Sequence, residues 1–111
     1  MSYGKLVRDN IPDIIRQNGE EPITRIMSKR EYEQELEKKL LEECYEVLEA
    51  NGEIRVEELA DLLEVIIAMG KTQGKTFDDI VRVCESKRSK RGSFDKMIYL
   101  EGVFKKDENK L

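Results

Sequence analysis

The chain has 111 residues, 40% of them charged and 39% apolar, and carries a net charge of −4 from 20 basic and 24 acidic side chains. That length gives one domain, residues 1–111, and that charge excludes the basic excess by which nucleic-acid binders are known. Histidine is absent, which removes Ser-His and Cys-His nucleophile pairs, histidine general bases and histidine-based zinc or di-iron sites, so any metal is held by oxygen.

In chain order, Asn10-Ile11-Pro12-Asp13-Ile14-Ile15-Arg16 reads as a short helix, with Asn10 as cap and Pro12 in the first turn. Asn18-Gly19 ends it. Pro22 to Met27 alternates like a short strand. Ser28 opens the longest helix, with Glu31 at capping-box spacing, and Asn51-Gly52 stops it after about Ala50. A third helix is expected from about Arg55 to Met69, with Gly70 behind it. Thr76 and Asp79 repeat the cap signal and start a fourth helix, Phe77 to about Arg91, closed by Gly92. Lys96 to Leu100 suggests a second short strand, pairing with Ile23 to Met27. The tail from Lys105 is charged and reads as loose. The expected fold is all-α: an antiparallel bundle of about four helices with one or two short peripheral strands.

Three Phe, four Tyr and no Trp leave little to fill a core. Long charged helices over a thin core gain stability by sharing apolar surface between subunits, so a homodimer or homotetramer is expected. Cys44 and Cys84, with no CxxC, read as reduced thiols of a cytoplasmic protein. The opening MSYGKLVRDN has no apolar signal region, and the apolar stretch from Leu62 to Met69, interrupted by Glu64, is too short to span a bilayer. Neither a membrane nor a nucleic acid is expected as a partner.

Placed on a wheel at about 100° per residue, the second helix puts Tyr32, Leu36, Leu40, Val47 and Ala50 in one stripe. Glu43 falls inside that stripe and Glu46 at its edge, while Glu35, Glu42 and Glu49 lie outside it. The third helix is apolar nearly all round, and only the sector of Glu57 and Glu64 faces water. Glu58 and Asp61 point away from that sector, toward Leu62, Val65 and Met69. Two helices thus each place an acid pair at i, i+3 on an apolar side, with about 5–6 Å between Cβ atoms. A short Asn-Gly turn favours antiparallel neighbours, which brings the four acids together. Carboxylates crowded in poor solvent do not all stay ionised unless a cation balances them. Magnesium does this and also accepts phosphates as ligands; manganese is the substitute. An acid pair on a helix is most often a solvated face, so the second pair, on the apolar helix, carries more weight than the first.

The run Lys39, Leu40, Glu42, Glu43, Glu46 followed by Glu57, Glu58, Leu59, Asp61, Leu62, Leu63 resembles the MazG-like, all-α NTP pyrophosphohydrolases. That superfamily includes dimeric dUTP pyrophosphatases and phosphoribosyl-ATP pyrophosphohydrolases. Its signature is ExxE, a spacer, then ExxD, here Glu43/Glu46 and Glu58/Asp61 with a short spacer of eleven residues. Lys5-Leu6-Val7-Arg8-Asp9 and Arg91-Gly92-Ser93-Phe94-Asp95-Lys96 also resemble a single-domain house-cleaning subgroup. The resemblance implies magnesium-dependent cleavage of an NTP or dNTP to monophosphate and pyrophosphate, with Glu43, Glu46, Glu58 and Asp61 as metal ligands. Glu43 or Glu46 is implied as the group that activates water. Lys39, Lys87 and Arg91 are implied as phosphate-binding residues, with Arg8 and Lys96 as weaker candidates. A basic run at a helix C-terminus also complements the helix dipole, which competes as the explanation of Arg88 and Lys90. Phe94 or Tyr99 offers a ring for base stacking, though core packing is the commoner role. Two alternatives stand beside this reading: a phosphoribosyl-ATP pyrophosphohydrolase, and a non-catalytic helical interaction module in which Glu58 and Asp61 pair with basic side chains.

Overall fold

A computed structural model describes residues 4–106. Four helices in chain order make up its regular structure. The first, α1 (Ile11–Gln17), carries Pro12 in its first turn, where a missing N–H breaks no helical hydrogen bond. Asn10 precedes it, but its side chain makes no capping hydrogen bond.

The second helix, α2 (Lys29–Glu49), starts where Ser28 Oγ accepts a 3.2 Å hydrogen bond from the Glu31 N–H. Only this half of the expected capping box forms. The Glu31 carboxylate instead accepts two 2.6 Å hydrogen bonds from the Arg25 guanidinium. A bidentate charged fork outcompetes a neutral backbone N–H for the same oxygens.

The third helix, α3 (Gly52–Thr72), is longer than expected at both ends. Gly52 takes φ +57° immediately after Asn51, a left-handed setting that glycine adopts cheaply, so the chain reverses at once. Arg55 then falls in the first turn of α3. Its Nε donates to the carbonyls of Val47 (3.1 Å) and Ala50 (2.7 Å) at the end of α2. Those last-turn carbonyls lack helical partners, and α2 has no basic residue of its own in that turn. The fourth helix, α4 (Phe77–Arg91), carries both halves of the Thr76–Asp79 capping box, and Gly92 (φ +82°) ends it.

Neither expected strand exists among the described residues. Pro22 to Met27 and Lys96 to Leu100 form no ladder, and Ile23 and Ile26 are fully solvent-exposed. Alternation sets which way side chains point, but a strand is stable only when its N–H and C=O groups pair with a neighbour. The reading of a loose tail falls mostly on residues 107–111, outside the described residues.

The helices α2 and α3 pack as an antiparallel hairpin. Leu36, from the start of α2, faces Met69 and Thr72, from the end of α3, across a small cleft of about 80 Å³. Arg55 ties the other end. Leu36, 3% exposed, is the one buried residue among those described. The helix α4 touches α3 alone, and α1 packs on no helix. The four helices therefore do not close within one chain into the antiparallel bundle that the sequence suggested. The molecule measures 80 × 33 × 24 Å with a radius of gyration of 20.7 Å, against about 13 Å for a compact 100-residue domain. The reason is visible on the helix backs. Leu41, Tyr45 and Leu48 form a bare apolar stripe on α2, and Val56, Leu59 and Leu63 form one on α3. Among the described residues no helix is long and apolar enough to cross a membrane.

Candidate metal centre

The hairpin brings acids from both helices together near its closed end. Carboxylate oxygens of Glu43, Glu58 and Asp61 all lie within 4.8 Å of one another. All three residues are half-buried. The antiparallel register that sets Leu36 against Met69 carries Glu43, two turns further along α2, to the level of Glu58 and Asp61.

Glu46 stands outside this trio and is exposed, as its place at the edge of the α2 stripe dictates. It is still close enough to act electrostatically. Partial burial pushes the Glu58 carboxyl up, and the charges of Glu46, Asp61 and Glu57 add to the effect. Burial also pushes the Glu43 carboxyl up, reinforced by Asp61 and opposed by Lys39. Loss of water disfavours the ionised form, and nearby like charges do the same. The two helices thus hold acids that resist ionising together.

Asp61 is balanced differently. Arg8, from the segment before α1, donates to Asp61 Oδ1 at 2.6 Å. The pair is open to solvent, with 59% of the Arg8 side chain and 45% of the Asp61 side chain exposed. Lys39 lies one turn before Glu43, and its Nζ is 3.6 Å from Glu42.

The donor set suits a hard divalent cation. Ligands on one magnesium sit about 2.0–2.1 Å from it, so two of them are at most about 4.2 Å apart. Oxygens that all lie within 4.8 Å of one another are close to that limit, and a small rotation of a carboxylate adjusts the rest. Oxygen donors alone, with water filling the remaining positions, are what magnesium prefers.

The remaining expected residues are not gathered here. Lys87 and Arg91 line a shallow groove of about 420 Å³ with Arg82, Val83, Ser86 and Lys90, all on α4. The helix α4 touches α3, which carries Glu58 and Asp61, but not α2, which carries Glu43. Lys96, Phe94 and Tyr99 are exposed, so neither ring is core. Sequence reading missed Arg55 as the tie between the helices. Its signal was slight: one arginine just past an Asn-Gly turn, opposite a helix end without a base.

No family model, curated protein or solved structure matches this chain.

Proposed function

We propose that this protein is a magnesium-dependent nucleoside triphosphate pyrophosphohydrolase that cuts an NTP or dNTP into monophosphate and pyrophosphate, acting on non-standard nucleotides in the cytoplasm. The observation that carries the reading is the convergence of Glu43, Glu58 and Asp61 from two helices, within reach of one ion. A divalent ion held there draws charge off phosphoryl oxygens and lowers the pKa of bound water. Glu58 and Asp61 anchor it from α3 and Glu43 from α2. Glu46, exposed beside Glu58, joins the set or accepts the proton of the attacking water, and Glu43 is the other candidate for that role. Lys39 meets a phosphate at the α2 side. Lys87 and Arg91 meet the substrate's phosphates, and a homodimer or homotetramer is favoured by the bare apolar stripes of α2 and α3.

The non-catalytic interaction module is supported by a specific observation too: Asp61 is ion-paired with Arg8. Exposed pairs of this kind are weak and are displaced by a stronger cation, so the pair is compatible with both readings. Pyrophosphate release, followed with magnesium over a panel of standard NTPs, damaged NTPs and phosphoribosyl-ATP, separates them. Turnover of an NTP, lost on removing magnesium, is the expected result. Preferred turnover of phosphoribosyl-ATP moves the assignment to that substrate. No turnover on any member, together with no calorimetric magnesium binding, leaves the interaction module.

A further inference from the structure

The segment after α4 is the least explained part of the molecule. Between Phe94 and Phe104 it carries seven large apolar side chains, each 73% to 99% exposed. Met97 also holds a left-handed backbone, φ 54°, a setting that disfavours a residue with a Cβ. A local turn leads into it: Ser93 Oγ donates to Asp95 and the Met97 N–H to the Phe94 carbonyl. Beyond that turn no hydrogen bond or ion pair among the described residues holds the segment.

A second feature lacks a partner as well. On α3, Val56, Leu63 and Gly70 recur every seven residues, so they share one side of the helix. At Gly70 that side is covered by Ile80 of α4, whose Cδ1 approaches as closely as the missing side chain allows. Further toward the N-terminus the same line is bare at Val56, Leu59 and Leu63. The helix α4 has nothing left to cover it, because after Cys84 it reads Glu85-Ser86-Lys87-Arg88-Ser89-Lys90-Arg91. The next apolar residues in the chain are those of the exposed segment.

We propose that residues 93–106 form an arm that docks on the Val56–Leu59–Leu63 line of α3 in a second copy of this chain. The contact continues the line that α4 already occupies. Charge favours the pairing slightly: Glu53, Glu57 and Glu64 lie near the apolar line, and the arm carries Lys96, Lys105 and Lys106 against Asp95 and Glu101, a net charge of +1. Area agrees as well. Phe94, Tyr99 and Phe104 each offer roughly 150–250 Å², and Met97, Ile98 and Leu100 add the rest of the approximately 800 Å² per partner of a specific interface. Reciprocal exchange about a twofold axis makes the contact twice. Within one chain the arm side chains and the Val56–Leu59–Leu63 line are all exposed, so the two are not in contact there.

The test needs no nucleotide and is independent of the catalytic reading. Light scattering on the full chain over a wide concentration range gives the dimer constant. Tyr99→Asp in the arm and Leu63→Glu on the face are each expected to weaken it by about tenfold or more, with helix content by circular dichroism unchanged. Both positions are exposed in one chain, so the fold tolerates them. Mixing the two variants is expected to restore association, because one intact arm then meets one intact face. A dimer indifferent to both substitutions overturns the proposal in favour of another interface. A monomer at every concentration overturns it too, and an arm protected from protease in that monomer would mean docking within the chain.

Discussion

Arg8 and Asp61 lie 53 positions apart in the chain, yet their side chains share a 2.6 Å hydrogen bond at the edge of the acidic trio. The segment before α1 thereby supplies a guanidinium that neutralises a proposed metal ligand. A cation in that place competes with any other cation for the same oxygen. Arg8→Gln is expected to change stability by less than about 1 kcal/mol, as is usual for an exposed pair. The same change is expected to tighten magnesium binding, measured by titration calorimetry at fixed ionic strength. Loss of magnesium binding in this variant would mean that Arg8 builds the site instead of guarding it.

Glu58 and Asp61 differ in what their removal does. Glu58→Gln removes a charge that its surroundings disfavour. Metal-free stability should hold or rise slightly, while kcat/KM falls by about two orders of magnitude or more. Asp61→Asn should cost the same activity but bring no gain in stability, since it also breaks the pair with Arg8. Thermal melts without magnesium and pyrophosphate release with it read both effects. Near-normal turnover in the two variants defeats the assignment of the site.

The pH dependence of metal-free stability has two opposed parts. Glu43 and Glu58 are held above the ordinary glutamate value, so between the ordinary and raised values the folded state binds more protons than the unfolded one. Stability from these two groups rises as pH falls through that window and is lost as pH climbs out of it. Asp79 goes the other way. The Thr76 backbone N–H, the Arg82 guanidinium and the Thr76 side chain hold its carboxyl at about 2, against 3.8 ordinarily. Its contribution is present above 3.8 and disappears as pH falls toward 2. Acid titration followed by circular dichroism is expected to show a shoulder from the first effect, abolished by magnesium, and a fraying of the start of α4 from the second. A profile untouched by magnesium would separate the raised carboxyls from any metal site.

Thr76→Ala removes the acceptor for the Asp79 N–H and is expected to cost about 1 kcal/mol by urea unfolding. The loss should sit in α4, seen as faster amide exchange over its first turn. Activity with nucleotide should be affected only as far as Lys87 and Arg91 need an ordered helix.

Leu36→Ala is expected to cost about 2–3 kcal/mol, the low end for a buried leucine. Leu36 is buried in one chain, but its neighbours Glu33, Glu37 and Gln73 border an open cleft that relaxes easily. A cost well above that range would show that association buries the site further.

The sequence by itself determined the helices and the pairing of acids. Cap residues and glycines act through local hydrogen bonds and local φ, so Thr76, Asp79 and Gly92 bounded α4 without any knowledge of the rest. Helical period alone placed Glu43, Glu58 and Asp61 on the apolar side of their own helices. What remained undecided was everything that depends on a neighbour. Whether Ile23 and Met97 belong to strands hangs on a ladder partner, and none of the described residues provides one. Whether Glu46 joins the trio hangs on the rotation of α2 against α3, which left it at the rim. Arg8 reached Asp61, and Arg55 reached the end of α2, through contacts that no local pattern encodes. The failure of four helices to close within one chain has the same origin: an apolar face states that something must cover it, and only the arrangement in space says what does.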